Sequence, residues 1–312
     1  TSILEGLKEK YPHCQIDWLT SKSAKDVLLL NPYLESVFIW EAEPELKDYD
    51  LVIGLEDDFE VCDFVSSLAP KAIAGAYALG GKAAYTPSAW FDMSAISRFG
   101  LTKANQLKQL NKKTFQQHMG DLLGIRVGRY VFSLTPDEIE LGKKVVRDLG
   151  FGVRDQVVGI NTGAGRRWQY KSLSVEKTID LVNRIKKELG RPSLILGGEE
   201  EKERNEIIAK ETGMPNAGLH SLRGFAAIIN QCQTLVSSDS LAMHFGIALG
   251  RKLVVFFGPT SAAEIELYGL GKKVHPKMDC LVCYKKTCDK KPSCMDLLSI
   301  DDLFTAIKPF VS

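Results

Sequence analysis

Short apolar runs separated by amphipathic segments fill the second half of this chain, and that alternation restricts the fold more than any other feature. The runs lie at 157–161, 194–198, 217–220, 234–238 and 253–258. Between the first two, Ile179, Val182 and Ile185 repeat at helical spacing. Apolar runs that alternate with helices form βαβ units, so this half is predicted to be an α/β domain with a parallel, doubly wound sheet.

The first half shows the same alternation less regularly, with strands predicted at 15–20, 36–40, 51–55 and 71–76. Thr135 and Glu138 have the spacing of a capping box, which marks the start of a helix and of a second domain. We therefore predict two Rossmann-like domains facing a cleft, residues 1–134 and 135–312, with the final helix a candidate to pack back on the first domain. The chain opens on a helix, so the first strand is expected upstream of Thr1.

The composition excludes several classes of protein. Of 312 residues, 45% are hydrophobic and 25% are charged, as in ordinary globular proteins. The formal net charge of +1 gives no reason to expect a nucleic-acid partner. The sequence has neither a run of about 20 apolar residues nor a signal peptide at its start. We predict a cytoplasmic protein whose membrane contact is limited to the surface.

Polar and glycine residues follow four of the predicted strands, where ligands of doubly wound sheets bind. They are Thr162, Gly163, Arg166, Arg167 and Lys171 after the first strand, Glu200 and Glu201 after the second, Asp239, Ser240 and His244 after the fourth, and Gly258, Thr260 and Ser261 after the last. Small residues admit a ligand to the backbone, and Lys, Arg and helix N-termini bind phosphate.

Each group alone is also explained by a turn, a solvated face or a helix cap. Asp239 is predicted to cap one helix, and Ser261 with Glu264 another. Taken together, the four groups indicate a ligand with a diphosphate, a ribose and a further hydroxylated part, which is the composition of a nucleotide-sugar.

Several segments resemble glycosyltransferase family 9, the heptosyltransferases of bacterial lipopolysaccharide core assembly. They are NTGAGRRWQYKSL, LILGGEEEKE, SSDSLAMHFGIALGRKLVVFFGPTS, and CLVCYKKTC with the later CM. The resemblance covers nearly the whole chain. It implies the GT-B architecture with the donor held by the C-terminal domain, ADP-L-glycero-D-manno-heptose as donor, inversion at the anomeric carbon and no metal ion in the reaction.

The resemblance also implies roles for individual residues. Thr162 and Lys171 would contact phosphate or sugar, and Glu200 or Glu201 the ribose. Asp239 would bind heptose hydroxyls, while Ser240, His244 and Thr260 would lie near the diphosphate, beside Gly163 and Gly258. One departure stands out: the family often has Lys-Arg-Trp-Pro where this chain has Lys-Ser-Leu-Ser at 171–174.

The catalytic base and the acceptor site are less well defined. In similar enzymes an aspartate after the first strand is the base, so the resemblance places it upstream of Thr1 and no catalytic residue is assigned. Glu56, Asp57 and Asp58 are disfavoured substitutes. The first half also contains a group of basic residues: Arg98, Lys103 and Lys108, followed by Lys112 and Lys113. Their charge suits an anionic lipopolysaccharide-core acceptor and the cytoplasmic face of the inner membrane. The alternative is a solvated surface without a binding role.

Four cysteines lie close together near the C-terminus: Cys280, Cys283, Cys288 and Cys294. In a cytoplasmic protein such spacing favours a structural metal, with tetrahedral zinc the simplest candidate, over disulfides. No cofactor is expected for catalysis.

Two other functions fit the same residues. One is a nucleotide-sugar epimerase of the same fold, which would act without an acceptor. The other is a catalytically inactive sugar-nucleotide-binding protein.

Overall fold

The computed structural model describes residues 1–165, 170–285 and 287–311. It divides the chain into two compact units, Thr1–Arg129 with Ala263–Glu266, and Tyr130–Ala262 with Leu267–Ser312. Both units contain helices together with parallel strands, which confirms the predicted α/β class.

The first unit has two small sheets rather than one. Its helices are α1 (Leu4–Lys10), α2 (Phe59–Ser67), α3 (Ala89–Asp92), α4 (Gly100–Leu110) and α5 (Phe115–Leu123). Its strands are β1 (Asp17–Thr20), β2 (Ser36–Ile39), β3 (Leu51–Gly54), β4 (Ala72–Leu79) and β5 (Lys82–Tyr85). β1 pairs in parallel with β2, while β3 pairs in parallel with β4 and β4 antiparallel with β5.

The second unit is built on one five-stranded parallel sheet in the order β10-β9-β8-β6-β7. Its strands are β6 (Val158–Asn161), β7 (Ser193–Leu196), β8 (Thr234–Ser238), β9 (Lys252–Phe256) and β10 (Gly271–Val274). Its helices are α6 (Pro136–Asp148), α7 (Val175–Leu189), α8 (Lys202–Thr212), α9 (Leu222–Ile229), α10 (Leu241–Ala248), α11 (Cys294–Leu297) and α12 (Ile300–Val311). Every residue of β6, β7 and β8 is buried, as expected for a sheet covered on both faces.

The capping box predicted at the start of α6 is present, with Thr135 and Glu138 each accepting from the other's backbone N–H. The buried face of α12, with Leu303, Phe304 and Ile307, belongs to the core of the second unit. No helix among the described residues is both long enough and apolar enough to cross a bilayer.

Three predictions of secondary structure were wrong. Residues 217–220 form no strand, and the preceding Asn216 makes an isolated bridge with Ile195. No helix begins at Ser261, which lies in a loop with its backbone N–H bonded to the Tyr284 hydroxyl. The α10 helix is capped at Ser240 rather than at Asp239.

Candidate functional site

The ends of β6, β7, β8 and β9 bring the predicted polar residues of the second unit to one edge of the sheet. Parallel strands all present their carboxyl ends to the same side, where ligands of such sheets bind. We call the residues that follow these four strands the carboxyl edge.

The carboxamide of Asn161, the last residue of β6, connects the predicted residues that follow β6 with those that follow β8. Its Nδ2 lies 2.8 Å from the carbonyl oxygen of Gly163, 3.2 Å from Oγ of Ser237 and 3.2 Å from Oγ of Ser240. Asn161 is only 6% exposed, so these contacts are made away from water. Sequence reasoning missed it, although an amide closing an otherwise apolar strand was a usable signal.

Lys171 and Asp239 form a buried ion pair. The Lys171 Nζ lies 2.9 Å from Oδ2 of Asp239 and 3.0 Å from its carbonyl oxygen. The two side chains are 10% and 18% exposed. Because a buried charge is costly without a partner, the pair holds both groups in place at the edge. An ammonium in this position can also neutralise a phosphate, and the carboxylate can accept from sugar hydroxyls.

Glu201 lies against the turn that follows β6. A Cβ added to Gly163 would stand 2.5 Å from Cδ of Glu201, so the carboxylate lies directly against this glycine. Its carboxylate also accepts from the backbone N–H of Gly198 at 2.8 Å. Glu200 is exposed in the same short 3-10 helix, Glu199–Glu201.

The hydroxyl of Thr162 is used within the fold. It lies 2.5 Å from Oδ1 of Asn205 and 3.2 Å from the carbonyl oxygen of Leu196, and Thr162 is 5% exposed. Asn205, on α8, is a second buried amide that sequence reasoning missed. The direct ligand contact expected for Thr162 therefore stays a prediction.

The turn after β9 contains a buried hydroxyl, that of Thr260. Thr260 is 5% exposed, and among the described residues none hydrogen-bonds its Oγ1. The turn is held from behind by the backbone N–H groups of Val282 and Tyr284, which donate to the carbonyl oxygens of Gly258 and Pro259. A buried hydroxyl without a partner costs roughly 1–3 kcal/mol, which a ligand oxygen at this place would recover.

The N-terminus of α10 supplies a further place for an anion. Its cap residue Ser240 makes no side-chain bond to the first turn, because its hydroxyl faces Asn161 and Ser237. The N–H groups of that turn therefore keep their capacity for an anionic ligand.

His244 follows one turn later, and its Nδ1 lies 3.2 Å from the Tyr130 hydroxyl. Burial holds the pKa of His244 below its ordinary value of 6.5, so the imidazole is neutral near pH 7.

The cysteine segment was predicted to bind a structural metal ion. All four thiols are free, and no three His, Cys, Asp or Glu side chains of the described ranges are arranged to hold an ion. Burial, together with the charges of Cys283, Cys288 and Cys280, raises the pKa of Cys294 to about 11. A Cβ added to Gly258 would lie 2.7 Å from the Cys294 sulfur, so this segment packs directly behind the β9 turn.

The predicted acceptor residues belong to the first unit. Arg98 forms an ion pair with Asp92 at 3.1 Å and lies over the ring of Phe99. On α4, Lys103 is exposed and Lys108 is half-buried. Of the basic residues expected near the β6 turn, Arg166 and Arg167 lie outside the described residues.

Two of the three carboxylates weighed as substitute bases are engaged locally. Asp58 caps α2, and Asp57 accepts from the backbone N–H of Ala95 at 3.2 Å.

Comparison with known proteins gives one family and one fold. The sequence model of glycosyltransferase family 9 (heptosyltransferase) matches residues 132–293, just over half of the chain. No curated protein matches this chain in sequence.

Three solved structures are similar along nearly the whole chain. A family 9 glycosyltransferase from Veillonella parvula is 17% identical with a TM-score of 0.73, over 100% of this chain and 92% of that one. The E. coli ADP-heptose lps heptosyltransferase II is 16% identical with a TM-score of 0.65, over 99% and 93%. The E. coli heptosyltransferase WaaC with ADP is 14% identical with a TM-score of 0.59, over 99% and 91%. These likenesses confirm the predicted GT-B fold class.

Proposed function

Because the chain belongs to glycosyltransferase family 9, the heptosyltransferase family, it is a glycosyltransferase, and we propose that it moves a heptose from a nucleotide-diphosphate donor to a lipopolysaccharide inner-core acceptor. The proposed donor is ADP-L-glycero-D-manno-heptose. Support for the donor comes from the similar E. coli enzymes, one named for ADP-heptose and the other bound to ADP.

The observation that carries this proposal is the arrangement of the carboxyl edge. It holds a buried ammonium–carboxylate pair, a helix N-terminus whose cap side chain is turned away, and the buried hydroxyl of Thr260, which no described residue hydrogen-bonds. Lys171, the start of α10 and Thr260 would bind the diphosphate, with His244 and the glycines Gly163 and Gly258 beside it. Asp239 would accept from heptose hydroxyls, and Glu201 or Glu200 from the ribose.

In the proposed reaction an acceptor hydroxyl attacks the anomeric carbon from the face opposite the diphosphate, so the configuration inverts. The bond from that carbon to the phosphate oxygen breaks, and its electron pair leaves with the nucleotide diphosphate. Lys171 and the N–H groups of α10 would stabilise the developing negative charge, so protein groups perform this task without a cofactor. The attacking hydroxyl loses its proton to a base that we do not assign.

For the acceptor we propose the basic surface of the first unit, Arg98, Lys103 and Lys108. Its positive charge suits the anionic inner core and favours peripheral binding at the cytoplasmic face of the inner membrane. The test is co-sedimentation with anionic and neutral vesicles, in which Lys103→Glu with Lys108→Glu should lower binding to the anionic vesicles alone. Equal binding of the wild-type protein to both kinds of vesicle would contradict an electrostatic contribution to membrane binding.

A structural zinc ion in the cysteine segment is also a proposal, supported by the C-x2-C-x4-C-x5-C spacing. Its test is the metal content of the protein purified without added metal, with Cys283→Ser as the variant. About one zinc per chain in the wild type and much less in the variant would support the site, whereas a metal-free wild-type protein would refute it.

The donor is tested by thermal shift with ADP, UDP, GDP and ADP-heptose. A ligand at a hundredfold excess over its Kd stabilises the native state by about 2.7 kcal/mol. We expect selective stabilisation by ADP and ADP-heptose, strongly weakened in Lys171→Met. The matched control is Lys210→Met, which removes the same charge from an exposed position of α8.

A preference for UDP or GDP would change the proposed donor and keep the enzyme class. If no nucleotide stabilises the protein, the donor site proposed at the carboxyl edge is wrong. Transfer itself is measured as the mass that ADP-heptose adds to a heptose-free inner-core acceptor, and release of free heptose alone would contradict it.

A further inference from the structure

Tyr130 approaches the donor site from a part of the chain that sequence reasoning left unassigned. It is the first residue of the second unit, and its hydroxyl lies 3.2 Å from Nδ1 of His244. The two rings are 5.7 Å apart, and Tyr268 packs edge-on against Tyr130 from another side at 6.1 Å. The described residues give Nδ1 of His244 a hydrogen-bond partner and give Nε2 none.

A neutral imidazole carries one proton, so the partner of one ring nitrogen decides what the other can do. If the hydroxyl donates to Nδ1, the ring proton must be on Nε2, which is then a donor. If instead Nδ1 donates to the hydroxyl, Nε2 is an acceptor and would repel a phosphate oxygen. Asp239 and Lys171, which pair with each other, shift the pKa of the ring in opposite directions.

We propose that Tyr130 is a positioning residue of the donor site: its hydroxyl donates to Nδ1 of His244 and thereby presents Nε2–H to the diphosphate of the donor. The inference rests on the proposed function, because it takes a diphosphate as the group that His244 faces. Tyr130 itself touches no reacting atom. Its contribution is to select one tautomer and one ring orientation before the donor binds.

The tautomer is measured first, since it does not depend on any ligand. Nitrogen-15 NMR of the ring nitrogens distinguishes the two neutral forms, and His244→Gln identifies the signals among the five histidines. We expect the Nε2–H form in the wild type and a mixture in Tyr130→Phe. An Nδ1–H form in the wild type would overturn the proposal.

The second measurement is a double-mutant cycle on donor binding. Loss of one neutral hydrogen bond weakens binding by about threefold to tenfold, so Tyr130→Phe should raise Kd for ADP and KM for the donor by this factor, with kcat nearly unchanged. Glutamine at position 244 offers an N–H near the place of Nε2 without a tautomer to select. In the His244→Gln background, Tyr130→Phe should therefore have no further effect.

The control is Tyr11→Phe, which removes the same hydroxyl from an exposed tyrosine of the first unit. Equal losses from Tyr130→Phe in both backgrounds would indicate a packing role and refute the proposal. Failure of the proposed function would give a different result. The wild-type protein would then bind no nucleotide, while NMR could still determine the tautomer of His244.

Discussion

Two regions at the carboxyl edge differ in how their polar groups are hydrogen-bonded. One consists of the residues at the ends of β6 and β8, and the other of the residues after β9. On the first side, Asn161, Lys171, Asp239 and Ser240 bond to one another or to nearby backbone groups. On the second side, Thr260 is buried without a partner among the described residues. We call these the paired side and the open side.

The difference separates two tasks that a binding site has to perform. Groups that are bonded to one another are held in position before the ligand arrives, so they contribute stability as well as binding. A buried group without a partner lowers stability and recovers that loss only when a ligand supplies the missing bond. Substitutions on the two sides should therefore change stability in opposite directions.

The largest effect is expected from Asp239→Ala on the paired side. It leaves the Lys171 ammonium buried without its carboxylate, which costs about 3 kcal/mol or more and lowers Tm by roughly 6–12 °C. Thermal unfolding followed by circular dichroism measures this. The double variant Lys171→Met with Asp239→Leu, which buries no charge, should recover much of the loss. Unfolding of Asp239→Ala at the wild-type temperature would mean that the pair adds nothing to stability.

The opposite sign is expected from Thr260→Val on the open side. Valine has nearly the same shape and no hydroxyl, so stability should stay level or rise by about 1 kcal/mol. Affinity for ADP should fall by about tenfold or more, since a hydrogen bond to a charged phosphate is lost. Thr260→Ser keeps the hydroxyl and is the control for binding by calorimetry. If Thr260→Val is less stable than the wild type, the hydroxyl has a partner in the folded protein and the two sides do not differ.

The smallest effect is a pH dependence at His244, which borders the paired side. Burial holds its pKa below 6.5 in the folded protein. As the pH falls below about 6.5, the unfolded chain takes up this proton before the folded protein does, so stability decreases by at most about 1.4 kcal/mol per pH unit. The difference in stability between wild type and His244→Gln, measured from pH 7.5 to 5, should therefore shift in favour of the variant. Burial also lowers the pKa of His118, but His118 is present in both proteins, so its contribution cancels in the difference. A difference that is independent of pH would contradict the shift.

The sequence predicted best where both faces of a strand are buried. The strands β6, β8 and β9 were found within one or two residues, because continuous apolar runs have few other structures open to them. β10 was missed because its GKKV sequence is half-exposed and polar. β5 was missed although Gly80 and Gly81, both with positive φ, are a typical two-residue turn between paired strands.

Within the site, the residues that follow each strand were predictable, and their partners were not. The pairing of Lys171 with Asp239 spans 68 positions, and that of Thr162 with Asn205 spans 43. Such pairs depend on strand order, which the spacing of apolar runs does not reveal. Tyr130 was missed for the same reason, since nothing around it in the sequence points to His244.

Because the first unit is divided into two small sheets, it has strand edges in addition to those of a single sheet. β1 and β3 each have one neighbouring strand, and the Tyr49 hydroxyl, 2.8 Å from the Asp17 carboxylate, connects the starts of the two sheets. The second edge of each strand offers backbone N–H and C=O groups that no strand among residues 1–129 occupies. Amide hydrogens along these edges should exchange with solvent faster than those of β8, which has a neighbour on both sides. The same edges are where an extended segment could add by backbone pairing.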